Sequence, residues 1–196
     1  GESYSVRGLV RDVPAVEMRQ AGSAYPSALR DAYLGLPQNL PGRVYTLAHQ
    51  VAGQEASPYD RAKAVETYLR EFPVDYGIAD TPPGRDTVDY FLFEARRGYF
   101  DYHASAMIVM LRALGVPARL AVGFALDERD RDTDADRYVV EDRDAYAWAE
   151  VYFPGHGWVE FNPTPDRPAV HRPGEQGSGG ALTPEDLANI RHLPVG

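Results

Sequence analysis

The chain contains no cysteine, which excludes disulfides, cysteine-ligated zinc and any thiol nucleophile. The nearest thing to a hydroxyl–imidazole pair is Ser105 with His103. They lie two apart in a segment of helical pattern, where residues at i and i+2 do not face each other. Asp101 and His103 fail as a pair for the same reason, so a first-turn acid and a helix-surface histidine are expected there. His156, between Gly155 and Gly157, reads as a solvent-exposed turn residue. His49, His171 and His192 are far apart and lack the spacing of metal ligands. Asp130, Asp132, Asp134 and Glu141 fall at positions one, three, five and twelve of a calcium loop. The sixth position, where that loop needs glycine, is Ala135, and Val139-Val140 read as strand. An acidic hairpin loop is the expectation and calcium the weaker reading. No cofactor is expected.

The elements that must position these residues follow from local signals. Residues 4–16 read as a short strand and turn, 27–36 as a helix ending near Pro37, and 42–52 as a helix stopped by Gly53. Ser57 is a good N-cap, with Pro58 at the first helical position and Asp60 in the first turn. Ala62, Val65, Leu69 and Phe72 then recur at helical spacing and define one buried face. Residues 75–85 are a Pro/Gly-rich loop, and 86–94 a short apolar helix or turn. After Gly98 comes a helix with the stripe Ala104, Met107, Ile108, Leu111 and Leu114, ended by Gly115 and Pro117. Four β-branched and aromatic runs follow, at 119–124, 137–141, 147–153 and 158–161, with a tight hairpin between the last two. Helices first and an antiparallel sheet second argue for an α+β fold. Strand alternation sends about half of Trp148, Tyr152, Phe153 and Trp158 inward to the core. Tyr99, Trp148, Glu150 and Trp158 are the candidates for lining a binding cleft.

Three segments together resemble the transglutaminase-like family: RRGYFDYHASAMIVMLRALGVPARLAVGF at 96–124, DAYAWAEVYFPGHGWVEFNPTP at 144–165, and, upstream, SPYDRAKAVETYLREFPVDY with DTVDYFLFEARRG. They cover roughly residues 40–165, and the likeness is to the bacterial branch found as a soluble segment of larger membrane proteins. The resemblance implies a cysteine-protease-like arrangement, a central helix packed on an antiparallel sheet. In that family a thiol stands at the N-terminal end of the helix, where amides and the macrodipole favour an anion. A histidine on a neighbouring strand pairs with it, and an aspartate on the next strand orients the histidine.

Carried onto this sequence, the family's Gly-Tyr-Cys reads Gly98-Tyr99-Phe100, its His-Ala-Trp reads Tyr146-Ala147-Trp148, and its Asp-Pro-Thr reads Asn162-Pro163-Thr164. Phe100 has no nucleophilic atom. A phenol such as Tyr146, with an ordinary pKa of about 10, is a poor base at neutral pH. Asn162 carries no charge to stabilise an imidazolium. The two aromatic side chains are expected to meet, and Tyr146 to donate to the Asn162 oxygen, partly filling the old cleft.

The remaining expectations come from composition. The 196 residues favour one domain, with a transglutaminase-like domain over 1–165, a flexible Pro/Gly/Ser-rich linker over 166–182 and a short helix or tail over 183–196. The net charge of −9 comes without a Lys/Arg cluster, so nucleic acid is not an expected partner. No apolar run reaches the roughly 20 residues of a bilayer span, so this segment itself requires no membrane contact. Gly1 in place of Met fits a piece of a longer protein. By resemblance alone, that piece would face the outside of a bacterial membrane. Two function classes remain: a catalytically inactive module that holds a peptide, a protein or a neighbouring domain, and an enzyme of acyl transfer or amide hydrolysis working through unrecognised residues. Fold alone does not decide between them.

Overall fold

The computed structural model describes residues 12–125, 131–132 and 137–175. Its helices are α1 (Ala15–Gln20), α2 (Ser27–Tyr33), α3 (Gly42–Ala52), α4 (Pro58–Leu69), α5 (Thr87–Tyr90), continued by a π-helical turn at Phe91–Ala95, and α6 (Phe100–Ala113). The strands are β1 (Ala118–Phe124), β2 (Arg131–Asp132), β3 (Arg137–Tyr138), β4 (Ala145–Phe153) and β5 (Gly157–Phe161). The fold is α+β.

Local chemistry sets the helix ends. The Ser57 hydroxyl accepts the Asp60 N–H at 3.1 Å, which fixes the start of α4 behind Pro58. At the far end of α6, Gly115 adopts φ +73° and the Val116 N–H reaches back to the Leu111 carbonyl at 2.9 Å. That is the left-handed stop that glycine permits.

Around α6 the chain builds one core. Met107, Met110 and Leu111 pack in the same cluster as Val65, Leu69 and Phe72 on the α4 side and Val151, Phe153 and Phe161 on the sheet side. The sheet has the order β1-β4-β5 and is antiparallel throughout, with Ala118 opposite Val151 and Tyr152 opposite Trp158. Ala147, Ala149, Val151 and Phe153 alternate inward along β4. Arg119, Glu150, Tyr152 and Trp158 cluster apart from that core, where Tyr33 of α2 stacks edge-on to Trp158 at 4.7 Å. Gly155 and Gly157 take φ +81° and +85° in the β4–β5 turn, so His156 does sit in a tight turn, though half-buried.

Several expectations need correcting. Ala15 and Val16 begin α1 rather than end a strand, and residues 4–11 lie outside the described residues. Only Arg137–Tyr138 of the run 137–141 is strand, because a 3₁₀ turn at Asp142–Asp144 draws the chain away. Residues 166–175 do not hang free as a linker. The Ala15 N–H donates to the Pro173 carbonyl at 3.0 Å, the buried Arg172 bonds the Glu160 carbonyl, and Glu175 accepts from the Tyr59 hydroxyl. Side-chain anchors hold a segment whose composition alone suggested flexibility. Residues 176–182 and the tail 183–196 lie outside the described residues.

His103 is fully buried, not on the helix surface. Its Nδ1 lies 3.1 Å from the Tyr99 carbonyl and its Nε2 3.2 Å from the Phe72 carbonyl, so the ring bridges α6 to the end of α4. Burial lowers its pKa, although both carbonyls favour the charged form. The unfolded chain therefore binds this proton more readily, and stability from His103 is lost as pH falls below about 6.5. Glu66 works the other way: burial raises its pKa, so that group adds stability as pH falls.

Two measurements test this account. Gly115→Ala should cost about 1 kcal/mol from backbone strain alone, read as a lower urea midpoint at unchanged slope. His103→Gln should be less stable than the parent at about pH 7.5, with a gap that narrows by about pH 5.5. A gap independent of pH would rule out the neutral, buried imidazole.

Candidate functional site

The site forms where the start of α6 meets the start of β4 and the chain leaving β5. The loop after α4 is pinned beside the α6 entry by two backbone bonds, Gly98 N–H to Pro73 O at 3.2 Å and Asp75 N–H to Gly98 O at 3.1 Å. A Cβ at position 98 would stand 3.0 Å from the Tyr102 side chain, a tight approach that glycine avoids. This pinning lays Tyr76 parallel to Tyr99, with ring centroids 6.2 Å apart.

The structure brings Phe100, Tyr146 and Asn162 together. The Phe100 and Tyr146 rings are in contact at 4.9 Å. Tyr146 is only 5% exposed, and its hydroxyl lies 3.1 Å from both Asn162 Oδ1 and Asp166 Oδ1. With one hydroxyl hydrogen, it donates to one of them at a time. Burial pushes the Tyr146 phenol up to about 12, so it is neutral and protonated at physiological pH. Asn162 Oδ1 also accepts the Thr164 N–H at 3.2 Å, and its Nδ2 donates to the Pro168 carbonyl at 3.2 Å. The amide is held in a fixed orientation.

A helix behind the site holds this loop in place. Glu66, almost fully buried, accepts the Asn162 backbone N–H at 2.9 Å and is paired with Lys63 at 2.6 Å. One turn on, the Arg70 guanidinium donates to the carbonyls of Asn162, Thr164 and Arg167 at 2.9, 2.7 and 2.8 Å. Asp166 closes the opening from above, accepting the Tyr76 hydroxyl at 2.9 Å, and Arg167 lies over the Tyr146 ring at 5.0 Å. Tyr76, Tyr99, Phe100, Tyr146 and Asp166 thus make a continuous circuit across the position of the cleft.

Glu66, Arg70, Tyr76 and Asp166 were not singled out from the sequence. The i, i+4 pair of charges on a helix with an otherwise apolar face was a usable signal for the first two. Asp166 had none, because it fell in the expected linker. Of the cleft candidates, Tyr99 joins the circuit, and the Trp148 ring lies across Gly123 beside it. Glu150 and Trp158 do not join it. Glu150 pairs with Arg119 at 2.7 Å, and the same guanidinium lies over Trp158 at 4.2 Å.

The other candidates disperse. Asp130 and Asp134 lie outside the described residues, and Asp132 is described only as a backbone partner of Arg137. Glu141 heads the 3₁₀ turn in a capping box with Asp144 and pairs with Arg143 at 3.2 Å. His49 is exposed on α3, His171 lies 3.4 Å from Glu175, and His192 is outside the described residues. Among the described residues no group of three or more His, Cys, Asp or Glu is placed to hold a metal ion.

Comparison with known proteins matches this fold. The model of the transglutaminase-like superfamily matches residues 45–163. YebA, an uncharacterized protein of Bacillus subtilis, is 38% identical over 154 residues, covering 76% of this chain and 21% of that protein. A protein-glutamine gamma-glutamyltransferase of Pseudomonas aeruginosa is 33% identical over 152 residues, covering 72% of this chain and 22% of that one. Among solved structures, the periplasmic domain of TgpA from Pseudomonas aeruginosa superposes with a TM-score of 0.63 at 31% identity, over 72% of this chain and 48% of that one. A putative cysteine protease from Cytophaga hutchinsonii shares the fold alone, at TM-score 0.52 and 20% identity over 72% of this chain and 43% of that one. The chain spans about a fifth of the length of the curated relatives it matches. The helical layer, the β1-β4-β5 sheet and the matched residues place this chain in the transglutaminase-like superfamily.

Proposed function

We propose that this is a catalytically inactive transglutaminase-like domain that holds a peptide, a protein or a neighbouring domain without turning it over. The observation that carries the reading is the direct contact of Phe100 with Tyr146 at the position where the family resemblance puts a thiol and its base. Acyl transfer needs an electron pair to attack a carbonyl carbon and a base to take the proton. Phe100 supplies no such pair. The Tyr146 phenol keeps its proton, and the neutral amide of Asn162 would not stabilise an imidazolium in its place. The chain holds no cysteine that could stand in.

The frame itself is kept. The α6 N-terminus, the β4 start and the Glu66–Arg70 clamp all position side chains of unreactive type. A positioned, unreactive site fits retention of binding or of architecture after loss of turnover. Similarity to a periplasmic domain supports an extracytoplasmic place within a longer membrane protein. No helix among the described residues is long and apolar enough to cross a membrane.

The test is amine incorporation into a glutamine-bearing peptide, measured with release of ammonia, for the native chain beside a Phe100→Cys, Tyr146→His, Asn162→Asp variant. The native chain should be silent, and the variant should gain a peptide-dependent signal because its backbone frame is intact. Turnover by the native chain would overturn the proposal and call for an unrecognised nucleophile.

A further inference from the structure

In the sheet order β1-β4-β5, β1 is an edge, and no described strand lies on its other side. Two backbone bonds fix which groups that edge presents. The Ala125 N–H donates to the Asp144 carbonyl at 2.8 Å and the Tyr152 N–H to the Pro117 carbonyl at 3.0 Å, both in the register that sets Ala121 opposite Trp148. Bonding alternates along an antiparallel strand, so odd-numbered residues of β1 bond to β4 and even-numbered ones turn their N–H and C=O groups outward. Arg112 caps the first outward carbonyl, that of Ala118, at 3.0 and 2.8 Å. The outward groups of Leu120, Val122 and Phe124 have no partner among the described residues.

The same three residues carry apolar side chains that are 45%, 74% and 54% exposed. They stand opposite Ala149, Ala147 and Ala145, on the core-facing side of the sheet beyond buried Ala118. Exposed edges are normally guarded by a charge, a proline or a bulge. Residues 120–124 hold no charge and no proline, and their register with β4 is unbroken. Arg119, the nearest charge on the strand, is turned to Glu150.

We infer that this edge joins two copies of the chain, β1 against β1, antiparallel about a two-fold axis at Val122. In that register Val122 meets Val122 of the second copy, and Leu120 meets its Phe124. Every outward N–H and C=O of the three residues then gains a partner, and pairing stops where Arg112 caps Ala118. Apolar side chains meet apolar ones, and on the other face Ala121 meets Gly123, so nothing clashes. The ends are complementary in charge. Arg119 falls opposite Ala125 of the second copy, whose bonded neighbour is Asp144 in the acidic turn 141–144, two strand spacings or about 10 Å away. This match of the edge to itself, in backbone groups, side chains and charge, singles out a second copy as the occupant. The inference goes beyond the proposed function and does not depend on it.

The test is sedimentation velocity of the full chain from about 10 μM to about 1 mM, with amide exchange measured at both ends of the range. One strand a side gives a contact below the roughly 1,200 Å² of a standard interface, so a Kd on the order of 0.1 mM is expected. The amides of Leu120, Val122 and Phe124 should exchange freely in the dilute monomer and be protected in the concentrated sample. Val122→Pro removes only an outward N–H and spares the β1–β4 ladder, so a folded variant should dimerise at least about tenfold more weakly. Leu120→Lys and Phe124→Glu should each weaken self-association, and mixing the two proteins should restore it, because the register sets the new lysine against the new glutamate. Loss of fold alone would not produce that recovery. A chain that stays monomeric with these amides open would overturn the inference and leave the edge to a strand of another protein. Protection of the same amides in the dilute monomer would overturn it too, by showing that the chain covers its own edge. No recovery on mixing two folded variants would rule out this register.

Discussion

Three hydrogen bonds from one guanidinium hold the two layers of this domain together at the site. Arg70 ends α4 and donates to three carbonyls of the chain leaving β5, while Glu66, one turn earlier, accepts the Asn162 amide. A charge as buried as that of Glu66 is costly unless its partners compensate it, and half-buried Arg70 needs partners too. Here the partners do so: carbonyl oxygens for Arg70, and the Lys63 ammonium with a backbone N–H for Glu66. The clamp fixes where Asn162 stands, and with it the acceptor that Tyr146 faces and the place from which Asp166 reaches Tyr76. Apolar packing between the helical layer and the sheet is non-directional and would not by itself set this loop's orientation.

The second constraint is the depth of α6. Helices pack on one side of it and the sheet on another, so burial extends well beyond a single stripe. Its N-terminal turn emerges where residues from α6, β4 and the β5 exit meet. In this chain the three positions that meet are a phenyl ring, a phenol and a carboxamide. All are neutral, so the low-dielectric interior charges them little desolvation cost. The neutral network is satisfied by ring contact and by hydrogen bonds of ordinary length. An ionised pair would need stronger compensation in the same place.

The chain beyond β5 shows how anchoring overrides composition. Residues 166–175 are rich in proline and polar residues, yet they lie along α1, α4 and β5. A few directed contacts suffice, with Arg172 over Phe161 and at Glu160, and Glu175 at Tyr59 and Lys63. Proline lowers the entropy lost on fixing such a segment, which helps a small number of bonds to hold it.

The amino-acid order by itself determined the elements. Ser57-Pro58 starts α4, Gly115 ends α6, and glycines turn the β4–β5 hairpin, because each signal acts within a few residues. It also determined what chemistry is absent, since a chain without cysteine has no thiol in any fold. The family resemblance put Phe100, Tyr146 and Asn162 at one site; in the fold Phe100 touches Tyr146, and Tyr146 lies within hydrogen-bond distance of Asn162. Only the tertiary structure decided the rest. His103 stands one turn before Met107, at the edge of the α6 stripe read from the sequence, but the partners that bury it, the Phe91 ring of the π-helical turn and the Phe72 carbonyl, come from the tertiary fold. Tyr76 meets Asp166 across 90 positions of chain, and Arg70 meets Thr164 across 94. No periodicity or cap signal spans such distances, because those partners are chosen by the packing of helices on a sheet and not by neighbouring residues.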